Sequence, residues 1–241
     1  MPETRSRRAS YECDRAIGLD LGASTIHGVA LSLEMNVDGK REVLAADLFD
    51  LATDEEALLD FCQSPHIAID APDRLSQGLH VGDERMGQKF QTGRCAEGAL
   101  GRKHGMWVPW TTPMIGEPVP TWMASGFELW RLLREIEEPI EVYPHAIFLR
   151  LAGHALPKKQ IAAGRKVRLE ILATHVDLPA YCVAWSHDSI DALAAALVAW
   201  HRWTGTAERV YCGEEDPWPN HDSSAIWLPP RPATSDVRSK F

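Results

Sequence analysis

The sequence has no run of about 18 apolar residues, so it predicts no membrane-spanning helix. No apolar stretch follows the arginines near the first residue, which argues against a secretory signal, and we interpret residues 1–12 as a disordered leader. The five cysteines include no C-x-x-C pair, which argues against a zinc knuckle or a disulfide framework. These absences favour a reducing compartment, so we expect a cytoplasmic protein.

Several catalytic motifs are also missing. The chain has no G-x-x-x-x-G-K-[ST] phosphate loop, no H-E-x-x-H zinc motif and no G-x-S-x-G nucleophile turn. The sequence therefore gives no support to a P-loop nucleotidase, a metalloprotease of that type or an α/β-hydrolase.

Basic residues are fewer than acidic ones, and the formal net charge is -9. A chain of this charge repels phosphates on average, so a nucleic-acid enzyme would need a local basic patch. Residues 158–168 hold five basic side chains and no acid, although a solvated helix face would explain the same pattern. These side chains are Lys158, Lys159, Arg165, Lys166 and Arg168.

Short apolar runs alternate with helical patterns over most of the 241 residues. Three strands in meander order, followed by strand and helix units, predict an α/β fold with a mixed five-stranded sheet and helices on both faces. Two more short runs, at residues 210–211 and 225–228, predict late edge strands. The five main strands are expected at residues 15–21, 26–33, 42–49, 67–70 and 140–143, and the clearest helices at 53–62, 122–137, 158–175 and 186–203.

The pattern predicts one domain over residues 13–230, followed by a flexible tail over residues 231–241. Residues 73–120 are rich in Gly, Arg, Pro and Trp and show weak periodicity. We interpret them as an insertion with short helices that lies over the open end of the sheet, because long loops in compact proteins are usually functional or disordered.

Three predicted strands each carry an acid on one face and bulky apolar residues on the other. These acids are Asp20, Asp70 and Glu141. Adjacent strands lie about 4.8 Å apart, so Asp20 and Asp70 could share an ion. Two buried carboxylates repel each other, and a divalent cation removes that conflict. Alternatively, each acid faces solvent at a strand end or accepts backbone hydrogen bonds in a turn.

The last predicted helix adds two further acids. Asp188 and Asp191 are three residues apart and share a helix face, and four nearby alanines would permit close approach to the sheet. Asp188 also has a simpler explanation, since an acid in the first turn interacts favourably with the helix dipole. Asp191 has no such explanation.

Four segments resemble the domain of unknown function 429 family, whose members are described as predicted nucleases of RNase H-like fold. The resemblance covers roughly residues 15–230. The final helix, His187-Asp188-Ser189-Ile190-Asp191-Ala192-Leu193-Ala194, is also similar to that of RuvC-type Holliday-junction resolvases. The four segments are Ile17-Gly18-Leu19-Asp20-Leu21-Gly22, Ile67-Ala68-Ile69-Asp70-Ala71-Pro72, Glu141-Val142-Tyr143-Pro144-His145-Ala146 and Ser224-Ala225-Ile226-Trp227-Leu228-Pro229.

The resemblance implies a two-metal nuclease. It assigns Asp20, Asp70, Asp188 and Asp191 as ligands of two Mg²⁺ or Mn²⁺ ions, one activating water and the other stabilising the leaving oxygen. In the resolvases the fourth-strand acid is typically glutamate, so Asp70 departs from the pattern. Glu141 or Asp73 would then complete the catalytic set.

A nucleic-acid substrate, DNA or RNA, would also need cations and base contacts. Trp107 and Trp110 would either stack on bases or pack the insertion, and packing is the simpler interpretation. For the cations, surface solubility or ion pairing is the alternative role. The candidate phosphate-binding side chains are Arg94, Arg102, Lys103, Lys158, Lys159, Arg165 and Arg168.

Two other functions stay open. The hairpin Gly18-Leu19-Asp20-Leu21-Gly22-Ala23-Ser24-Thr25 resembles the first phosphate loop of sugar kinases and actin, which would make the chain a nucleotide-binding phosphotransferase-like protein. The sequence has no second hairpin of this pattern and is short for that group. A non-catalytic binding or regulatory module of the same fold is the third hypothesis.

Overall fold

The first apolar run forms a central strand of a mixed sheet in the computed structural model, which describes residues 15–22, 24–78, 90–213 and 223–232. The expected leader and most of the expected tail lie outside these residues. The strands are β1 (Arg15–Leu21), β2 (Thr25–Met35), β3 (Arg41–Asp50), β4 (Ile67–Asp70), β5 (Ile140–Val142), β6 (Val176–Asp177), β7 (Glu208–Val210) and β8 (Ile226–Leu228).

The strand order is β6-β3-β2-β1-β4-β5-β8-β7. The expected meander and the parallel strands β4 and β5 are confirmed. The expected number of five strands is wrong, because the sheet has eight. Strands of two or three residues are too short to show periodicity, which is why β6 was missed. β7 is an edge strand as expected, whereas β8 lies between β5 and β7.

The predicted helices are present with shifted ends. The capping pattern at Thr53 predicts a start two residues too early, since α1 begins at Glu55 and Asp54 caps it without a side-chain bond. The basic segment becomes helical only from Ala162. The helices are α1 (Glu55–Phe61), α2 (Cys95–His104), α3 (Thr121–Leu133), α4 (Pro144–Ala152), α5 (Ala162–Leu172) and α6 (His187–Trp203).

Helices cover both faces of the sheet, as expected. On one face, Ala16 and Ala68 of the sheet pack with α4 and α6 in one apolar cluster. On the other face, Ile17 and Ile69 pack with α1 and α3 in a second cluster. Alternating side chains of β1 therefore enter different cores.

The cysteines correct one expectation. Cys95, the first residue of α2, forms a disulfide with Cys212, which follows β7. Their separation of 117 residues gives no local signal in the sequence. Among the described residues, Cys62 and Cys182 are free and buried. No helix in the described ranges is long and apolar enough to cross a bilayer.

Candidate active site

Asp20 and Asp70 stand side by side at the carboxyl ends of two parallel strands. The register pairs Asp20 of β1 with Asp70 of β4, and the pKa of Asp20 is raised by burial and then by the charge of Asp70. Both lie on the face that α6 covers, since Gly18 and Ala68 precede them by two residues. The two acids therefore lie next to each other, as the sequence predicted.

The close approach of α6 to β1 brings Asp191 to this pair. A Cβ atom on Gly18 would lie 2.0 Å from the carbonyl oxygen of Ala192 and 2.1 Å from the amide nitrogen of Ala196. Only a residue without a side chain allows this contact between backbones. Asp191, one residue before Ala192, is 2 % exposed and raises the pKa of Asp20 electrostatically.

Substitution of Gly18 tests this contact. Gly18→Ala is expected to lower the free energy of unfolding by about 1–3 kcal/mol, because the added methyl group overlaps backbone atoms that cannot rotate away. Urea unfolding measures the loss. Gly39→Ala is the control, since nothing lies within 4 Å of a Cβ there and only its left-handed backbone resists the change. Equal losses in both variants would contradict the proposed steric origin.

Burial and mutual repulsion raise the pKa values of the three acids. Burial, followed by the charges of Asp70 and Asp191, raises the pKa of Asp20 well above its ordinary value. Burial raises the pKa of Asp70 to about 7. Burial also raises the pKa of Asp191. The three carboxyl groups are therefore harder to ionise in the folded protein than in water.

Lys159 supplies the nearest positive charge. Its Nζ atom donates to Oδ2 of Asp191 at 2.5 Å. Burial opposes the charge of this lysine, but Asp191, Asp20 and Asp70 together raise its pKa. A residue proposed from the sequence as a phosphate ligand thus lies in an ion pair with a proposed metal ligand.

Asp188 lies at the edge of the same cluster and is partly exposed. Its Oδ2 atom is 3.8 Å from Nε2 of His27, and it also pairs with His187. His27 of β2 lies directly opposite Asp20 of β1 in the antiparallel register. Its Nδ1 atom is 3.1 Å from the hydroxyl oxygen of Ser189. His27 could not be selected from the sequence, because only the register of the hairpin places it beside Asp20.

Glu141 does not join these acids. The register pairs it with Ile69, so it lies on the opposite face of the sheet from Asp70. Its oxygens accept from the two terminal nitrogens of Arg94 at 2.5 and 2.6 Å. Burial raises the pKa of Glu141 to about 7.

Arg94 is held by a buried network of acids. Besides Glu141 it contacts Asp73 at 3.0 Å and Glu97 at 3.1 Å, and its side chain is 2 % exposed. Glu97 also accepts the amide of Thr112, which ties the second half of the insertion to α2. These contacts favour ion pairing, the alternative role, for both Arg94 and its partner Glu141.

The basic segment divides into side chains with different surroundings. Arg168 is buried and donates to the carbonyl oxygens of Pro157 at 2.8 Å and Gly164 at 2.9 Å. Arg165 donates to a backbone carbonyl at 2.9 Å, whereas Lys158 is exposed. Phosphate binding stays a prediction for Lys158 and Arg165. The guanidinium of Arg168 is instead bonded to backbone carbonyls of the same segment.

A cavity of about 630 Å³ joins the carboxylates to the insertion. Trp107 and Trp110 both line it, and they are 40 % and 68 % exposed. Trp107 also packs against Phe90 with ring centroids 4.5 Å apart, which favours the packing role for this residue, and base stacking stays a prediction for Trp110. Tyr143 and His145 also line the cavity, which sequence spacing alone did not indicate.

The donor set fits a hard divalent cation in its chemistry. Asp20, Asp70 and Asp191 offer carboxylate oxygens, the ligands that Mg²⁺ and Mn²⁺ prefer, and a bound cation would offset the burial that raises their pKa values. Within the described residues, however, no three His, Cys, Asp or Glu side chains stand in an arrangement that could hold a metal ion. The ammonium group of Lys159 lies against Asp191, in the place that a metal ion bound to this acid would take.

The raised pKa values predict how stability depends on pH. Between the ordinary carboxyl pKa of 3.8 and about 7, folded Asp70 keeps a proton that the unfolded chain has released. The free energy of unfolding should therefore fall as pH rises through this window, by about 1–3 kcal/mol between pH 5 and pH 8 without metal. Urea titrations in EDTA measure it. The difference should shrink in Asp70→Asn, and a loss of the same size in that variant would contradict the assignment.

One family model matches part of the chain, in agreement with the resemblance. Residues 123–216 match a family described as Protein of unknown function (DUF429). The solved structure of RuvC from Thermus thermophilus is similar at 15 % identity and a TM-score of 0.40, covering 80 % of this chain and 97 % of that chain. The T. thermophilus RuvC in complex with a Holliday junction substrate gives 16 % identity and a TM-score of 0.38 over the same shares. No curated protein matches.

Proposed function

We propose that this chain is a metal-dependent nuclease of RNase H-like fold that cleaves phosphodiester bonds in DNA or RNA. The observation that carries the proposal is the convergence of Asp20, Asp70 and Asp191, from two parallel strands and α6, on one cavity. Buried acids that lie close to one another are costly and cluster at functional sites. The antiparallel meander flanked by parallel β4 and β5 supports the RNase H-like assignment.

Asp20, Asp70 and Asp191 would hold Mg²⁺ or Mn²⁺, with Asp188 at the edge of the set. A divalent cation bound there would supply an activated water and neutralise charge on the phosphate. Glu141 is not part of this proposal as a ligand, because it lies on the other face and binds Arg94.

The chain's own side chains would position the substrate. Lys158 is exposed in the wall of the cavity and can approach a phosphate, and Trp110 offers an exposed ring for a base. Residues 73–120 would act as the insertion that forms this wall, within a domain of residues 13–230. We propose a cytoplasmic location for the protein.

The direct test is cleavage of a panel of labelled nucleic acids. Purified protein with Mn²⁺ should cut at least one of single-stranded, duplex, hybrid or branched substrates, and EDTA should stop it. Equal cleavage by Asp20→Asn would assign the activity to a contaminant and reject the proposal.

A non-catalytic binding module is the second candidate, favoured by the ion pair that occupies Asp191. It predicts nucleic-acid binding that is the same with Mn²⁺ and EDTA, and no cleavage. The phosphotransferase hypothesis predicts instead a thermal shift with ATP that metal alone does not cause.

A further inference from the structure

The segment before α5 is fixed to the protein by unusually close backbone contacts. A Cβ atom on Gly164 would lie 1.9 Å from the carbonyl oxygen of Lys158, so the segment folds directly onto the first turn of α5. Arg168 holds the neighbouring carbonyl of Pro157 at 2.8 Å. The backbone on either side of Lys158 therefore has one position relative to α5.

This placement directs Lys159 into the carboxylate cluster while Lys158 stays outside. The side chain of Lys159 is 34 % exposed and ends on Asp191, whose side chain is 3 % exposed. Its charge also acts on Asp20 and Asp70. One ammonium thus pairs with Asp191 and acts electrostatically on the other two acids proposed as metal ligands.

A cation in the same place as a metal ion must compete with it. Two positive charges within a few ångströms repel strongly where water is largely excluded. An oxygen of Asp191 that accepts from Lys159 also has one fewer lone pair for coordination.

From these contacts we infer that Lys159 is the internal counter-cation of the acidic cluster, which neutralises Asp191 until a divalent ion displaces it. The inference rests on the proposed function, because it assumes that this cluster is the metal site. Gly164 and Arg168 are positioning residues, which act through the segment that carries Lys159. The concentration of divalent ion needed to fill the site then depends on Lys159 as well as on the acids.

Mn²⁺ titration tests the inference without nucleic acid. Lys159→Met removes the charge and keeps the length of the side chain. It is expected to bind Mn²⁺ at least about tenfold more tightly than wild type, since one competing charge is gone. Electron paramagnetic resonance of free Mn²⁺ gives the Kd. Lys158→Met is the matched control and should change the Kd less than about twofold, because this neighbour is exposed.

Two further variants keep the test decisive if Lys159→Met folds poorly. Lys159→Arg retains the charge and should keep the wild-type Kd within a few-fold. Gly164→Ala moves the segment through the contact with Lys158, so it should tighten Mn²⁺ binding in the same direction as Lys159→Met. Circular dichroism establishes that each variant is folded.

An unchanged or weaker Mn²⁺ affinity in folded Lys159→Met would overturn the inference, as would a failure of both proteins to bind Mn²⁺. The outcome is separable from that of the proposed function. Tighter binding with no cleavage of any substrate leaves the counter-cation in place and rejects the nuclease. Cleavage by wild type, together with equal Mn²⁺ Kd values for wild type and Lys159→Met, would support the nuclease and reject the counter-cation.

Discussion

Arg94→Met is expected to lower the free energy of unfolding by about 3–5 kcal/mol, because it leaves several buried carboxylates without their shared cation. The guanidinium contacts Glu141, Asp73 and Glu97 at 2.5, 3.0 and 3.1 Å, and its side chain is 2 % exposed. Methionine fills similar space but donates no hydrogen bond, so it cannot replace these contacts. Urea unfolding at pH 7.5 measures the loss.

Arg131→Met is the matched control. Arg131 also pairs with two glutamates, Glu128 and Glu135, but it lies on the surface of α3 with its side chain 57 % exposed. Because exposed ion pairs contribute little, this variant should unfold almost like wild type.

A second substitution separates charge from packing. If the loss in Arg94→Met comes from the unpaired carboxylates, adding Glu141→Gln should recover part of it, since burial already holds the pKa of Glu141 at about 7. Losses that simply add in the double variant would show that packing, not charge, determines the effect. The double variant also tests the role of Glu141 beside Arg94 rather than in catalysis.

The sequence could predict the acids of the site because local patterns carried the information. Alternation on β1 and β4 showed which face bears Asp20 and Asp70, and two adjacent parallel strands then bring those acids together. The alanines around Asp191 indicated close packing of the last helix on the sheet, which the structure has at Gly18.

The errors arose where a contact depends on the register of short or irregular segments. β5 has three residues, so its alternation could not show that Glu141 faces away from Asp70. Arg94 and Lys159 were selected as free cations because their partners, Glu141 and Asp191, lie 47 and 32 residues away along the chain. The pairing of Cys95 with Cys212 was hidden for the same reason.

Asp20→Asn should have opposite effects on stability and on cleavage. The amide does not titrate, so at pH 8 it avoids the unfavourable ionisation of a buried carboxyl, and the metal-free protein should gain about 1–2 kcal/mol in free energy of unfolding. The direction follows from the raised pKa of Asp20, since holding that carboxyl ionised in the folded state is unfavourable. Urea unfolding in EDTA measures the gain.

The same variant should lose metal-dependent cleavage by at least about 1,000-fold, roughly 4 kcal/mol in activation free energy, because a neutral amide is a weak ligand for a hard cation. Single-turnover kinetics in Mn²⁺ measure the loss. Asp47→Asn is the control, an exposed acid on β3 outside the cavity, and it should change neither quantity. A metal-free stability that falls in Asp20→Asn would mean that Asp20 makes structural bonds instead of being held ready for a cation. In that case the cluster would stabilise the fold. Removal of an acid kept for catalysis should instead raise the free energy of unfolding of the metal-free protein.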